Sequence, residues 1–257
     1  MRHVVLCGAT DGIGLALARL YAARGWHVGI LGRDPAKLER VAAELRAAGG
    51  TIVIALCDVR SPASIEEAFA AALRGLGQMD LFVYCAGVLL AGDGLRNDAA
   101  ADREMMEVNA LGAVHILGLA ADYFRQERRG HLAAIGSIAG DRGRRGIPAY
   151  AASKAALHTY LEGLRNRLHP FGVRVTTVKP GFVRTRMLAR RGSDAGASAD
   201  AGCGWPAGSI TAEEAARLIS RGLDRGREVF YVPSWWALVA FALRHTPRFV
   251  FKRLGPP

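Results

Sequence analysis

Short apolar runs alternate along the chain with longer stretches in which apolar residues recur every three to four positions. The runs are His3–Cys7, His27–Leu31, Thr51–Leu56, Leu81–Tyr84, Leu132–Gly136, Val173–Val178 and Val229–Val232. Most are apolar without alternation, the pattern of strands covered on both faces. Helical periodicity fills the intervals at about 12–24, 35–48, 62–75, 99–128, 148–169 and 211–225. Asp34-Pro35 and Ser61-Pro62 each set a capping side chain before a proline at the first helical position. Thr211-Ala-Glu-Glu opens a helix with a capping box.

Strand and helix alternate throughout, which predicts an α/β fold: a doubly wound, Rossmann-type parallel sheet of seven strands with helices on both faces. Residues 1–232 read as one domain, with no internal repeat. The segment 192–209 is small, glycine-rich and polar, the composition of a mobile loop that is either a lid or an insertion. Residues 233–257 form an apolar and basic tail.

The net charge of +11 suits an acidic partner, whether nucleic acid, anionic lipid or anionic substrate, and suits plain solvated surface charge equally well. No base-reading motif accompanies it, so nucleic acid is not expected as a partner. Cys7, Cys57, Cys85 and Cys203 lack metal-ligand spacing and read as reduced core thiols, with no metal expected. The first apolar run reaches a glycine turn too early for a secretory signal, which predicts a cytoplasmic protein.

That turn, Gly8-Ala-Thr10-Asp-Gly12-Ile13-Gly14, links the first strand to the first helix. Glycines there let backbone N–H groups approach a pyrophosphate at the helix N-terminus. Asp58-Val59 after the third strand would meet an adenine, and Ala86-Gly87 after the fourth would lie close to a ribose. After the second strand stands Arg33, where a carboxylate would mark an NAD site. A guanidinium there suits a 2′-phosphate, so NADP(H) is expected over NAD(H). Asp11 in the turn argues the other way.

Chemistry enters with Tyr150-Ala-Ala-Ser-Lys154, preceded by Ser137. Tyr150 and Lys154 are one helical turn apart and share a face. A phenol titrates near 10 in water, and an adjacent ammonium favours the phenolate. Ser137 could hold a carbonyl or hydroxyl oxygen while Tyr150 exchanges its proton.

Together these residues resemble the short-chain dehydrogenase/reductase family over about residues 3–232. The order is the glycine turn, Asp58-Val59, Ala86-Gly87, Asn109, Ser137, Tyr150 with Lys154, then Pro180-Gly181-Phe-Val183-Arg-Thr185. The resemblance implies that Ser137 orients the substrate oxygen and Tyr150 is the general acid/base. It gives Lys154 the nicotinamide ribose and the tyrosine pKa, and Asn109 a water-linked proton relay. Val183 and Thr185 match positions that hold the carboxamide, and a homodimer or homotetramer is the family's habit. Tyr84-Cys85 departs from the family's Asn-Asn before Ala-Gly, which removes side-chain hydrogen bonds between strands. Cys7 replaces the usual threonine.

Arg142, Arg144 and Arg145 lie between Ser137 and Tyr150, and Arg184, Arg186, Arg190 and Arg191 follow Pro180-Gly181. Both segments should border the substrate mouth, where arginines would read a phosphate or diphosphate. The tail joins Trp235-Trp236 and an apolar run to Arg244, Arg248, Lys252 and Arg253. It is too short to span a bilayer and suits either a membrane interface, through 233–254, or a neighbouring subunit. These two regions are also similar to bacterial reductases of decaprenylphosphoryl-2-keto-ribose, which implies a lipid-linked carbonyl substrate at the inner face of the membrane. A soluble ketone reductase and a non-catalytic NADP(H)-sensing protein are the alternatives.

Overall fold

The computed structural model describes residues 2–47, 50–90, 98–189 and 205–253. Its main sheet contains β1 (His3–Cys7), β2 (His27–Gly32), β3 (Ile52–Leu56), β4 (Leu81–Tyr84), β5 (His131–Ile135) and β6 (Arg174–Pro180). A two-stranded ribbon, β7 (Val183–Arg184) with β8 (Ile210–Thr211), stands apart, and β9 (Val229–Val232) completes the main sheet. The seven-stranded order is β3-β2-β1-β4-β5-β6-β9, parallel throughout. The helices are α1 (Gly12–Ala23), α2 (Pro35–Arg46), α3 (Pro62–Leu76), α4 (Ala99–Met106), α5 (Gly112–Glu127) and α6 (Pro148–Leu168). They continue with α7 (Arg186–Ala189), α8 (Ala212–Asp224), α9 (Trp236–His245) and α10 (Arg248–Phe251).

Two cores explain why the strands are apolar without alternation. Val5, Phe82 and Tyr84 face one layer, with Ile65, Phe69, Ile116, Phe124 and Leu161. Val4, Leu6 and Val83 face the other, with Leu17, Tyr21, Leu38, Val41 and Ile219. Successive side chains point to opposite faces, so a strand covered twice needs apolar residues at every position. The caps form as the sequence implies. Asp34 accepts from the Lys37 N–H at 3.1 Å, Ser61 from Ser64 at 3.4 Å and Thr211 from Glu214 at 3.1 Å.

Two elements differ from the sequence expectation. The helix expected over 99–128 is interrupted by a π-helical turn, Glu107–Leu111, between α4 and α5. The tail beyond 232 folds back as α9 and α10, seating Trp236 and Ala240 on Ile138 and Phe182. Residues 192–204 of the expected loop lie outside the described residues, as do Arg190, Arg191, Cys203 and 254–257. Strand order reverses between β1 and β4, which opens a crevice at the carboxyl ends of the strands.

Candidate active site

That crevice is a cleft of about 1110 Å³. Its floor is backbone. Gly8 has φ +86°, and a Cβ there would lie 2.5 Å from the Ala86 nitrogen, so only glycine lets β1 and β4 meet this closely. Thr10, Gly12, Ile13 and Gly14 line the cleft at the start of α1, where the helix dipole and the backbone N–H groups of the first turn favour an anion. A cradle without side-chain bulk at a helix N-terminus fits a dinucleotide pyrophosphate. Asp11 caps this helix, its Oδ1 accepting from the Gly12 N–H at 2.7 Å. Its Oδ2 lies 3.7 Å from Arg186 Nε. The carboxylate is therefore directed at α7 and its own helix.

Arg33, just after β2, and Lys37, in the first turn of α2, both line the cleft. Arg33 lies 3.7 Å from Glu104 Oε1. Asp34 turns into the cap of α2, and the Lys37 N–H holds its carboxyl below the usual range. Asp58 is gripped by Arg60, with Nη2 at 2.6 Å from Oδ2, which also holds that carboxyl low. Val59 lines the cleft beside it, and Ala86 and Gly87 form the wall nearest Lys154. Lys37 has no motif of its own; in the sequence it is only a residue one helical turn beyond Arg33.

The catalytic candidates meet on the other side of the cleft. Ser137 caps a 3₁₀ turn, Ile138–Asp141, its Oγ accepting from the Ala139 N–H at 3.1 Å. Its own N–H donates to His158 Nε2 at 3.4 Å. Burial, and then Lys179, pushes the His158 pKa down to about 3, so the ring stays a neutral acceptor. Asp141 ends the turn in a buried cluster, 2.5 Å from Lys179 Nζ and accepting from Tyr231 OH at 2.8 Å. Tyr150 and Lys154 enter from the first turns of α6, which starts at Pro148. Lys154 Nζ donates to the Ile135 carbonyl at 3.1 Å and lies 5.8 Å from the Tyr150 ring centroid. Burial lowers the Lys154 pKa to about 8, still above neutrality, so it remains mainly charged at pH 7.

Asn109 sits in the π-helical turn, a distortion that re-aims side chains at functional sites. Its Oδ1 accepts from the Val88 N–H at 2.8 Å. Its Nδ2 donates to the Val88 carbonyl at 2.9 Å and to Ser153 Oγ at 3.1 Å. Ser153 in turn donates to the Tyr150 carbonyl at 2.8 Å. The Asn109 amide is thus a clamp between the loop after β4 and the start of α6, with both its donor hydrogens used. Tyr84, where the family has asparagine, donates its OH to the Val108 carbonyl at 2.5 Å and ties β4 to the same turn.

Pro180, Gly181, Val183 and Thr185 line the cleft above the glycine turn. Trp236, Val239, Leu243 and Phe251 of the tail form an apolar wall, with Leu89, Leu90 and Ile147 also lining the cleft. Arg144, Arg145, Arg186 and Lys252 add positive charge. Two arginines expected at this rim are engaged elsewhere. Arg142 donates to the carbonyls of Leu243 and of Thr246, the latter at 2.7 Å. Arg184 Nε donates to Ser209 Oγ at 3.1 Å. Neither lines the cleft. Among the described residues, no group of three metal-ligating side chains occurs.

The sequence profile of the short chain dehydrogenase family matches residues 2–196. The chain belongs to that family. An uncharacterized oxidoreductase of Streptomyces coelicolor is 34% identical over 267 residues, covering 98% of this chain and 96% of its own. Among solved structures, a short-chain dehydrogenase from Sphingobium yanoikuyae in complex with NADPH superposes with a TM-score of 0.80. It is 26% identical and covers 94% of this chain and 93% of that one. A variant of actinorhodin polyketide ketoreductase with NADPH also reaches 0.80, at 25% identity over 91% of this chain and 96% of its own. This short-chain dehydrogenase is an oxidoreductase of the CH–OH/C=O couple with a cleft suited to NAD(P).

Proposed function

We propose that this enzyme reduces the carbonyl of an amphiphilic, anionic compound with NADPH, and that Tyr150 supplies the proton. The observation that carries the proposal is the composition of one cleft. Tyr150, Lys154 and Ser137 share it with an apolar wall from the tail and with Arg144, Arg145 and Lys252. A substrate with a long apolar part and a phosphate would satisfy both surfaces, and a polyprenylphosphoryl keto sugar is such a compound. Two cations beyond β2, Arg33 and Lys37, favour the 2′-phosphate. The carboxylates lining the cleft beside them, Asp34 and Asp58, are engaged by Lys37 and Arg60.

The chain's own residues divide the work as follows. The glycine turn and the N-terminus of α1 hold the pyrophosphate, Arg33 and Lys37 the 2′-phosphate, Val183 and Thr185 the carboxamide. The bound nicotinamide supplies the hydride. Ser137 Oγ, which accepts from Ala139, still has its own hydrogen to give the substrate oxygen. Tyr150 donates its phenolic proton to that oxygen as charge develops on it. Lys154, charged and desolvated, stabilises the phenolate left behind.

NADPH and NADH consumption by the full-length protein tests this, with a polyprenylphosphoryl 2-keto-pentose in mild detergent beside a neutral ketone of similar length. Arg33→Ala with Lys37→Ala should raise the KM for NADPH by about tenfold or more while sparing NADH. Arg144→Ala with Arg145→Ala should raise the KM of the phosphorylated substrate alone. Equal loss with both cofactors would overturn the 2′-phosphate assignment. Equal loss with both substrates would leave a general soluble ketone reductase.

A further inference from the structure

Helix α9 has two apolar faces. Trp236 and Ala240 are buried, and Val239 and Leu243 line the cleft beside Trp236. At helical spacing on the opposite face lie Trp235, Leu238 and Phe241, which are 42%, 75% and 64% exposed. Phe249 on α10 is 63% exposed. A helix that is apolar all round needs cover on both sides. The inner side is covered by the enzyme.

The tail that carries this outer face is itself basic. Arg244, Arg248 and Arg253 are exposed, and no Asp or Glu occurs in the sequence after Glu228. A second copy of the chain packed face to face through this patch would bring the tail's like charges together, with no carboxylate side chain from either tail to offset them. An anionic lipid surface offers the opposite match: acyl chains for Trp235, Leu238, Phe241 and Phe249, and headgroup phosphates for the cations. No described helix is long and apolar enough to cross a bilayer, so the tail's geometry is that of a helix lying in the interface.

We propose that the outer face of α9 and α10 docks flat on an anionic membrane. The same helix then touches lipid on one side and walls the cleft on the other, so an amphiphile passes from bilayer to Tyr150 without crossing water. That route rests on the substrate class proposed above; the docking rests on the tail alone.

Sedimentation of full-length protein with vesicles tests it. Equal parts phosphatidylglycerol and phosphatidylcholine should retain the protein, phosphatidylcholine alone should not, and high salt should release it. Leu238→Ser with Phe241→Ser lines no part of the cleft. It should cut vesicle binding by at least about tenfold and keep NADPH turnover of the neutral ketone, which also reports that it folds. Should that variant fail to fold, Arg248→Glu with Arg253→Glu serves the same comparison. Absence of binding to the anionic vesicles, equal binding to both compositions, or variants that bind as the parent does would overturn the proposal. A fall in molar mass of the serine variant by light scattering without lipid would overturn it too, and assign the face to a second copy. Failure of the substrate class alone looks different: vesicle binding persists while the phosphorylated and neutral ketones turn over alike.

Discussion

The guanidinium of Arg142 lies 3.8 Å from the ring centroid of Phe251, while its Nη1 donates to carbonyls at the end of α9. One side chain thereby satisfies the helix C-terminus and holds α10 against it. Because Arg142 directly follows the turn that starts at Ser137, the tail is fastened to the catalytic turn itself. Arg142→Ala should destabilise the fold by roughly 2–3 kcal/mol and make the tail the first site of tryptic cleavage, both measurable by urea unfolding and limited proteolysis. Unchanged cleavage would mean that α9 is held by Trp236 alone.

On the proposed mechanism, Tyr150→Phe removes the group that supplies the proton. Turnover of any ketone substrate should fall by about 100-fold or more, with NADPH affinity by fluorescence titration within a factor of about three. A sensor that uses the fold without catalysis would have no turnover to lose.

A Cβ at Gly181 would collide with the indole nitrogen of Trp236. Gly181→Ala should therefore unseat α9 without touching Tyr150. A red shift of tryptophan emission and a raised KM for long apolar ketones are the expected signs, with a small ketone little affected. Equal effects on both would place the damage at the cofactor instead.

Lys154 links charge to pH. Its folded pKa of about 8 lies below the unfolded 10.5, so the unfolded chain holds the extra proton between those values. Stability from this group is thus lowest below pH 8 and rises as pH climbs toward 10.5. Lys154→Met should be more stable than the parent at pH 7, by an amount on the order of a few kcal/mol, and the gap should narrow steadily between pH 8 and 10.5. A difference in melting temperature that does not change with pH would contradict a buried, charged lysine.

Two histidines work in the acid direction. Burial, with Arg174 second, takes His131 down to about 4, and His158 is near 3, against 6.5 when unfolded. Their contribution is present above pH 6.5 and is lost as pH falls toward 4 and 3. The urea midpoint should drop steadily from pH 6.5 to 5, at up to ~1.4 kcal/mol per pH unit for each ring. His131→Gln should lower that slope by one proton's worth.

The parallel sheet was legible because burial on both faces leaves its mark on every strand residue, as in Val4, Val5 and Leu6. That Tyr150 and Lys154 share a helix face followed from their four-residue spacing. The π-helical turn at Glu107–Leu111 was not legible, since its residues carry an ordinary helical pattern and the Val88 backbone that Asn109 bonds lies in another segment. Arg142 was misassigned to the substrate rim for a similar reason. Its partners are main-chain carbonyls a hundred residues later, and backbone acceptors have no side-chain signature. Trp236 was visible as part of an apolar tail, but which face it belonged to depended on the absence of a side chain at Gly181.

The placement of β9 and α9 also has a consequence for synthesis. Tyr150, Lys154 and Ser137 leave the ribosome well before Val229–Val232 and Trp236. Until those later residues arrive, the edge of β6 is unpaired and Gly181 is bare. A parallel partner delivered by a long crossover pairs slowly. The nascent chain therefore carries Tyr150 into the cell before the apolar wall of its cleft is in place.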